Sequence, residues 1–496
     1  MSFVNANFKE MIDIQVRVHD KFSVEFKTGF RVEKQHKENE FMMNTWIFVP
    51  YSLDINSQTY PKSHFYRDAK SYVRLITPIY TLEEVGDSNT LPYMFLQVAF
   101  NELVAEPSDA NMAEFEYQIK MFISITKSAL RQEVSSLMNL NNRSERREAI
   151  NLYIRRIEKV TTLYRDLRPV ITRPEVPEKA LTYFAFGDEF LSNRIEHKTF
   201  ELLKFLKAVH PRDYRMGKKE LMEIILKERT HRLRMGYEVT EKDNPKKNSE
   251  ILHRLRLLRK YIENHLFLDA DVKKDGRLAE QFSVSIAAGL AMVFATAIAF
   301  SAQQKYGNFT MPLFVALVVS YMLKDRIKET ARYYFASRLS KRYFDNKTTI
   351  SIKDKPIGWI KEGVDFVNEE KVPEEVIHRR NRSDILESDN RNTAEKIILY
   401  RKLVDIDGTV LDENIPYDTA GINDIMRFNF SNFIMKMDDP SVAVSIPDQE
   451  KGYETVFSKF IYYINFIIQL QQKDTVEYKR FRVIISRDGI EGIEIM

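Results

Sequence analysis

The chain has 496 residues, of which 44% are hydrophobic and 29% are charged, and this composition is typical of folded domains rather than of disorder. Lys and Arg (75) nearly balance Asp and Glu (71), so the net charge of +4 gives no sign of nucleic-acid binding. The absence of cysteine excludes disulfides, thiolate zinc sites and a cysteine nucleophile, and it fits a reducing cytoplasm.

Alternating polar and apolar residues predict strands in the first hundred residues. The alternation covers residues 12–18 and 22–26, and residues 41–49 form a further apolar run that ends at a proline. Residues 65–76 instead have the spacing of a short helix. We therefore predict an N-terminal α+β domain over residues 1–110, in which the helix covers one face of an antiparallel sheet.

From about residue 111 the apolar period becomes helical. Prolines and an Asn-rich turn separate five segments that have this period. The predicted helices are residues 113–138, 144–167, 189–209, 218–235 and 249–268. We predict a helical domain over residues 111–280.

Two uncharged apolar stretches follow, residues 281–304 and 306–323, separated only by Lys305. They contain 24 and 18 residues, close to the roughly 20 residues that a helix needs to cross about 30 Å of hydrocarbon. We predict a two-helix transmembrane hairpin over residues 281–323. The alternative is a pair of buried helices in a large soluble core.

Basic residues near this segment predict its orientation. Three precede it within about 20 residues, one lies in its turn, and seven follow it in a basic juxtamembrane helix predicted over residues 324–345. The seven are Lys324, Arg326, Lys328, Arg332, Arg338, Lys341 and Arg342. This distribution predicts a two-pass protein of the bacterial inner membrane with both termini cytoplasmic. The seven are also predicted to contact lipid headgroups; burial of this helix against the soluble domains is the alternative.

Small residues recur at every fourth position of the first apolar stretch. They are Ser283, Ala287, Ala291, Ala295 and Ala299. Such a stripe lets helices approach closely, either within the hairpin or between protomers, and both possibilities stay open. No acidic residue and no basic residue except Lys305 lies between residues 281 and 323, which disfavours active transport.

Strand patterns return in the last 150 residues. The predicted strands are residues 397–404, 409–411, 425–437 and 481–495, with a helix at residues 453–472. We predict a C-terminal α+β domain over residues 346–496.

One motif in this domain has a possible catalytic meaning. Residues 404–410 read VDIDGTV, which resembles the first motif of the haloacid dehalogenase superfamily. The resemblance covers six residues and implies that Asp405 is a nucleophile, that Asp407 is an acid/base and that Mg²⁺ assists them. Fewer than 90 residues remain for the later motifs of that superfamily. The alternative, which we prefer, is a β-hairpin whose turn is Asp407-Gly408.

No other motif points to a cofactor, because the nine histidines lack metal-ligand spacing and no phosphate-binding glycine loop occurs. The sequence thus predicts a membrane-anchored multidomain α+β protein that contacts the lipid bilayer and binds no cofactor, metal or nucleic acid. Its predicted function is that of a non-enzymatic scaffold or regulatory protein with an unknown protein partner and possible homo-oligomers. The alternatives are a pore-forming effector assembled through the hairpin and a Mg-dependent hydrolase that uses Asp405 and Asp407.

Overall fold

The computed structural model describes residues 12–307, 310–352, 354–382, 395–450 and 452–496; the side chains of residues 277–280, 283 and 335–342 lie outside this description. The chain forms two compact units. The sheet unit contains residues 1–73, 269–411 and 423–496. The helical unit contains residues 74–268 and 412–422.

The strands of the described chain form three antiparallel sheets. In chain order they are β1 (Ile12–Asp20), β2 (Ser23–Arg31), β3 (Asn39–Val49), β4 (Ala69–Leu75), β5 (Asp269–Lys274), β6 (Asn346–Ile352), β7 (Lys355–Val367), β8 (Lys396–Ile406), β9 (Gly421–Asn429), β10 (Ser441–Asp448), β11 (Gly452–Lys459), β12 (Tyr462–Gln472), β13 (Thr475–Ser486) and β14 (Gly489–Ile495). The large sheet has the order β14-β13-β12-β3-β8-β7-β6-β5, the small sheet has the order β1-β2-β9-β4, and β10 pairs with β11 alone.

The α-helices of the described chain follow the same numbering. They are α1 (Lys62–Asp68), α2 (Leu82–Val85), α3 (Leu91–Ala105), α4 (Asp109–Asn139), α5 (Arg143–Arg165), α6 (Arg168–Ile171), α7 (Glu178–Val209), α8 (Pro211–Arg234), α9 (Pro245–Glu263), α10 (Arg277–Tyr306), α11 (Met311–Arg342), α12 (Glu374–Arg380), α13 (Gly408–Asn414) and α14 (Ser431–Ile434).

Aromatic side chains fill the core between the two larger sheets. The ring of Phe466 on β12 lies 5.0 Å from that of Phe26 on β2 and 6.2 Å from that of Phe428 on β9. The opposite face of the large sheet is also covered, because Trp46 on β3 packs with Val376 on α12. Strand β3 is therefore apolar on both faces, which explains the continuous apolar run in its sequence.

The predicted fold class is wrong in two respects. The N-terminal sheet and the C-terminal α+β domain are not separate, because β3 lies between β8 and β12 in one sheet. An apolar period shows which face of a strand is buried, but it does not show which distant strand is its neighbour. The two-helix transmembrane hairpin is also wrong: only α10 is long and apolar enough to cross a membrane among the described residues.

The helix predicted at residues 453–472 is wrong, since this segment forms β11 and β12. Its aromatic residues fit a helical spacing, but Gly452 adopts φ +80° and closes a turn from β10. The β10–β11 hairpin leaves large apolar side chains exposed on both of its faces. They are Val442, Val444, Ile446, Tyr453, Val456 and Phe457.

All five predicted helices of residues 113–268 are confirmed, with errors at their ends. Helix α7 begins at Glu178, 11 residues before the predicted start, because Gly187 does not break it. A Cβ atom at Gly187 would lie 2.3 Å from the hydroxyl of Tyr164, so this glycine allows close helix packing. Helix α9 is capped by the side chain of Asn244, which accepts a hydrogen bond from the Lys247 amide.

Candidate membrane-contacting site

Helix α10 carries the most extended apolar surface of the described chain. Its stretch Val284–Tyr306 is 23 residues long, and only 11% of the most apolar part of this stretch is buried. Large side chains such as Leu290, Val293 and Phe300 are at least 60% exposed. An exposed apolar surface of this length is unfavourable in water, so it marks a site of contact with lipid or with another protein.

The uncharged part of helix α11 is shorter than that of α10, and this difference overturns the two-pass topology. The uncharged sequence before Lys324 has 18 residues, but the helix begins only at Met311 and thus contains 13 of them, residues 311–323. At about 1.5 Å per residue these extend roughly 20 Å, less than the roughly 30 Å of a hydrocarbon core. Tyr306 belongs to the end of α10, and Gly307 and Thr310 lie outside both helices.

The two helices pack together along the predicted stripe of small residues. Ala287 and Ala291 are buried, Ala295 and Ala299 are half-buried, and the side chain of Ser283 lies outside the described part. The buried hydroxyl of Ser320 on α11 donates a hydrogen bond of 2.9 Å to the carbonyl oxygen of Ala295. Self-association through this stripe is not tested and stays a prediction.

The predicted headgroup residues begin one turn beyond this hydrogen bond. Arg326, Lys328 and Arg332 are exposed, and the amine of Lys324 lies 3.9 Å from the ring centroid of Tyr321. The side chains of the other three lie outside the described part: Arg338, Lys341 and Arg342. Because α10 and α11 are antiparallel, these charges lie beside the first half of α10, and the part of the pair between them and Lys305 at its tip is free of charge.

Hydrogen bonds and close contacts hold the base of the helix pair against the strands and α1 of the sheet unit. Asp345, directly before β6, accepts hydrogen bonds from the Tyr66 hydroxyl (2.9 Å) and the Lys62 amine (2.8 Å). Burial alone would lower the pKa of Lys62, but its bonds to Asp345 and Asp365 outweigh burial and raise that pKa. On the other side, Gly276 adopts φ +67°, and a Cβ there would lie 2.7 Å from the Tyr343 ring.

The structure gives Asp407 a structural role, and the predicted hairpin turn at Asp407-Gly408 is wrong. The Asp407 carboxylate accepts from the amides of Thr409 (3.0 Å) and Val410 (3.1 Å), as an N-cap does at the start of α13. A two-residue loop is found between β13 and β14, where Ser486 pairs with Gly489 and the loop residues are Arg487 and Asp488.

Asp405 lies near the end of β8, between two antiparallel neighbours rather than at the end of a parallel strand. It is opposite Glu40 on β3 and Trp359 on β7. Burial, followed by the charge of Glu38, raises the pKa of Asp405. The later residues that could complete a dehalogenase-like site are engaged elsewhere: Lys436 donates to the Asp54 carbonyl at 2.6 Å, and Asp439 pairs with Arg487 at 2.7 Å.

A buried charge cluster that was not predicted from the sequence lies three residues before Asp405 on β8, at Lys402. The fully buried amine of Lys402 contacts both the Asp424 carboxylate and the Glu362 carboxylate (3.0 Å), and the buried Tyr400 hydroxyl donates to Glu362. Burial opposes the charge of Lys402, but Asp424 and Glu362 outweigh it and raise the pKa of the amine. The alternation of buried and exposed residues along β8 could have revealed this cluster, because it places Lys402 on the same buried face as Val404.

Across the described residues, no group of three or more His, Cys, Asp or Glu side chains is arranged to hold a metal ion. No protein-family model matches the chain, and comparisons with curated proteins and with solved structures give no significant match.

Proposed function

We propose that this protein is a scaffold or regulatory protein anchored by α10 at the cytoplasmic face of the bacterial inner membrane. The observation that carries the proposal is the long, exposed and uncharged surface of α10, which lipid would cover favourably. A non-enzymatic role is supported by Asp407, whose carboxylate caps α13.

The strand pairing at the base of the helix pair supports placing both termini on one side. Strand β5 precedes α10, β6 follows α11, and the two strands pair directly, with Lys274 opposite Asn346. The chain therefore leaves the large sheet to form α10 and α11 and returns to it at the same place. The basic residues that begin at Lys324 favour the cytoplasmic side.

The depth of insertion follows from the charges on α11. With charge beginning at Lys324, the helix pair is uncharged over only roughly 20 Å. We therefore propose that α10 and α11 together form a re-entrant anchor, in which the chain enters and leaves the bilayer on the cytoplasmic side, with Lys324, Arg326 and Lys328 at the headgroups.

The anchor is tested by placing a charge on the exposed face of α10. Phe300→Lys should weaken binding to vesicles of bacterial lipid roughly a hundredfold, because Phe300 lies in the middle of the uncharged part of the helix pair, where a lysine costs about 3 kcal/mol. The matched control is Leu252→Lys, at a similarly exposed leucine of α9 in the helical unit. Equal binding of the two variants would contradict anchoring by α10, and vesicle leakage caused by the unaltered protein would favour a pore instead.

The depth of insertion is tested by cysteine labelling, because the natural chain contains no cysteine that would react in the background. A Gly307→Cys variant provides one thiol in the connection between the two helices. In intact cells, a membrane-impermeant maleimide added outside should not label it, and reporters fused after Met1 and Met496 should both be cytoplasmic. Labelling from outside would show that the helix pair crosses the membrane.

A further inference from the structure

Helix α9 concentrates positive charge on one element of the helical unit. It contains six Lys and Arg residues but only two acids, Glu250 and Glu263, so its formal charge is +4. This value equals the net charge of the whole chain, and the charges of all other residues therefore cancel. Such an excess on one helix is typical of an element that faces an anionic partner.

The apolar residues of α9 show which of its sides is turned outward. Ile251, Leu258 and Ile262 are buried and lie on one side of the helix, which contacts α4 and α7. The opposite side is exposed, and its residues recur at intervals of three, four and seven positions, so they form one continuous face. This basic face of α9 consists of Lys246, His253, Arg256, Leu257 and Lys260.

The cations of the basic face have no carboxylate partner. Lys246, Arg256 and Lys260 form no ion pair within 4 Å among the described residues. The other three cations of α9 are paired: Lys247 with Glu241, Arg254 with Glu189, and Arg259 with Glu263. Arg256 and Lys260 are also one turn apart, and like charges at this spacing repel each other. Ion pairs thus neutralise the flanks of the helix and leave the middle of its outward side positive.

An exposed leucine lies among these cations. Leu257 is 52% exposed, and His253 and Lys260 are its neighbours one turn away in the two directions. The phosphates of a nucleic acid would pair with the cations but would not cover the leucine. A lipid surface offers anionic headgroups to the cations and acyl chains to the leucine, so the combination favours an anionic lipid surface.

We propose that the basic face of α9 binds the anionic headgroups of the membrane that holds α10. Arg256 and Lys260 contact lipid phosphates, and Leu257 reaches the boundary of the acyl chains. Only 16 residues separate Lys260 from Arg277, the first residue of α10, so the anchor gives α9 a high effective concentration at the bilayer. The inference rests on the membrane location proposed above, but not on the depth to which α10 inserts.

Binding of the full-length protein to vesicles at low salt tests the proposal. The double variant Arg256→Gln with Lys260→Gln should bind vesicles that contain phosphatidylglycerol about tenfold more weakly, and vesicles of phosphatidylcholine equally well, because these cations attract only anionic lipid. The matched control is Arg212→Gln with Lys219→Gln, which removes the same two charges from exposed positions of α8. Equal weakening by both double variants, or no weakening by the first, would overturn the proposal.

Adding a charge to the same face gives the opposite expectation. Leu252→Lys places a positive charge one turn before Arg256 and should strengthen binding to phosphatidylglycerol vesicles or leave it unchanged. Weaker binding of this variant would contradict the contact with anionic headgroups.

A second measurement locates the contact. Because the chain has no cysteine, Leu257→Cys places a single fluorescent probe on the basic face, and Phe300→Cys places one on α10. The control is Leu226→Cys, at a position of α8 that is 56% exposed. In anionic vesicles that contain a spin-labelled lipid, the probes at positions 257 and 300 should be quenched and the probe at position 226 should not. Added salt should release only position 257.

The outcomes distinguish this inference from the proposed anchor. Quenching at position 300 alone would overturn the contact of α9 and leave the anchor intact, whereas quenching at position 257 alone would support the contact and contradict the anchor. Quenching at neither position would overturn both. If position 257 is shielded from a water-soluble quencher but is not quenched by the lipid, another protein surface covers the basic face and the proposal is wrong.

Discussion

A fully buried lysine of the sheet unit and a half-buried lysine of the helical unit have opposite shifts of pKa. Burial lowers the pKa of both amines, but Lys402 lies between two carboxylates, which raise its pKa, whereas Lys127 has one carboxylate that it shares with arginines. The comparison shows that the number of neighbouring carboxylates decides whether the effect of burial on the pKa of an amine is outweighed. The Lys402 cluster stabilises the sheet unit.

The largest expected effect comes from breaking the Lys402 cluster. Lys402→Met should lower the free energy of unfolding by about 3–5 kcal/mol, because it leaves Glu362 and Asp424 as unpaired buried acids. Chemical denaturation measures this loss. The triple variant Lys402→Met with Glu362→Gln and Asp424→Asn should recover more than half of it; no recovery would show that lost packing rather than unpaired charge is responsible.

A smaller effect is expected from the tyrosine of the same cluster. Tyr400→Phe removes the hydroxyl that donates to Glu362 and should cost about 1–3 kcal/mol, since a buried carboxylate loses a hydrogen bond. Thermal unfolding of this variant measures the cost. A matched control is Tyr463→Phe, whose side chain is 41% exposed, and an equal loss in both variants would contradict a special role for Tyr400.

The lowered pKa of Lys127 predicts that stability depends on pH. The folded pKa of Lys127 is about 8, below its unfolded value near 10.4, so the unfolded state binds more protons between these values and stability rises with pH. From pH 8 to about 9.5 the gain should be about 1.5 kcal/mol. Lys402 adds little to the pH dependence between pH 8 and about 9.5. Its folded pKa is raised and its unfolded pKa is near 10.4, so the amine is largely protonated in both states.

The difference between the unaltered protein and Lys127→Met, measured by denaturation at several pH values, isolates this slope. Lys402 provides the comparison within the same molecule. An identical pH dependence with and without Lys127 would show that its charge is not perturbed, and the proposed contrast between the two lysines would fail.

The smallest expected effect is a stabilisation. In low-salt buffer, Arg194→Gln should raise the free energy of unfolding by about 0.5 kcal/mol, because burial and the like charge of Arg259 both disfavour the charge of Arg194 and lower its pKa. Added salt should reduce this gain by screening. A loss of stability in low salt would mean that the packing of Arg194 on Phe190 outweighs the repulsion.

Local features of the chain could be predicted from the sequence where they depend on a single helix or strand. The helical period of residues 113–268 predicted five helices, and an uncharged run predicted α10 as the apolar helix. The failures occurred where two periods or two turn types fit the same residues. The aromatic spacing of residues 453–472 fits a helix, yet the Gly452 turn makes a hairpin, and Asp407-Gly408 fits a turn but caps a helix.

The sequence by itself determined that this protein has a long uncharged helix followed by basic residues, because length and charge are properties of one segment. Only the tertiary structure decided that α11 begins too late to match α10, that β3 joins strands more than 350 residues away, and that Lys402 lies between Asp424 and Glu362. These facts depend on which segments meet in space. Burial and charge pairing act between residues that are distant in the chain, and no local pattern encodes the partner.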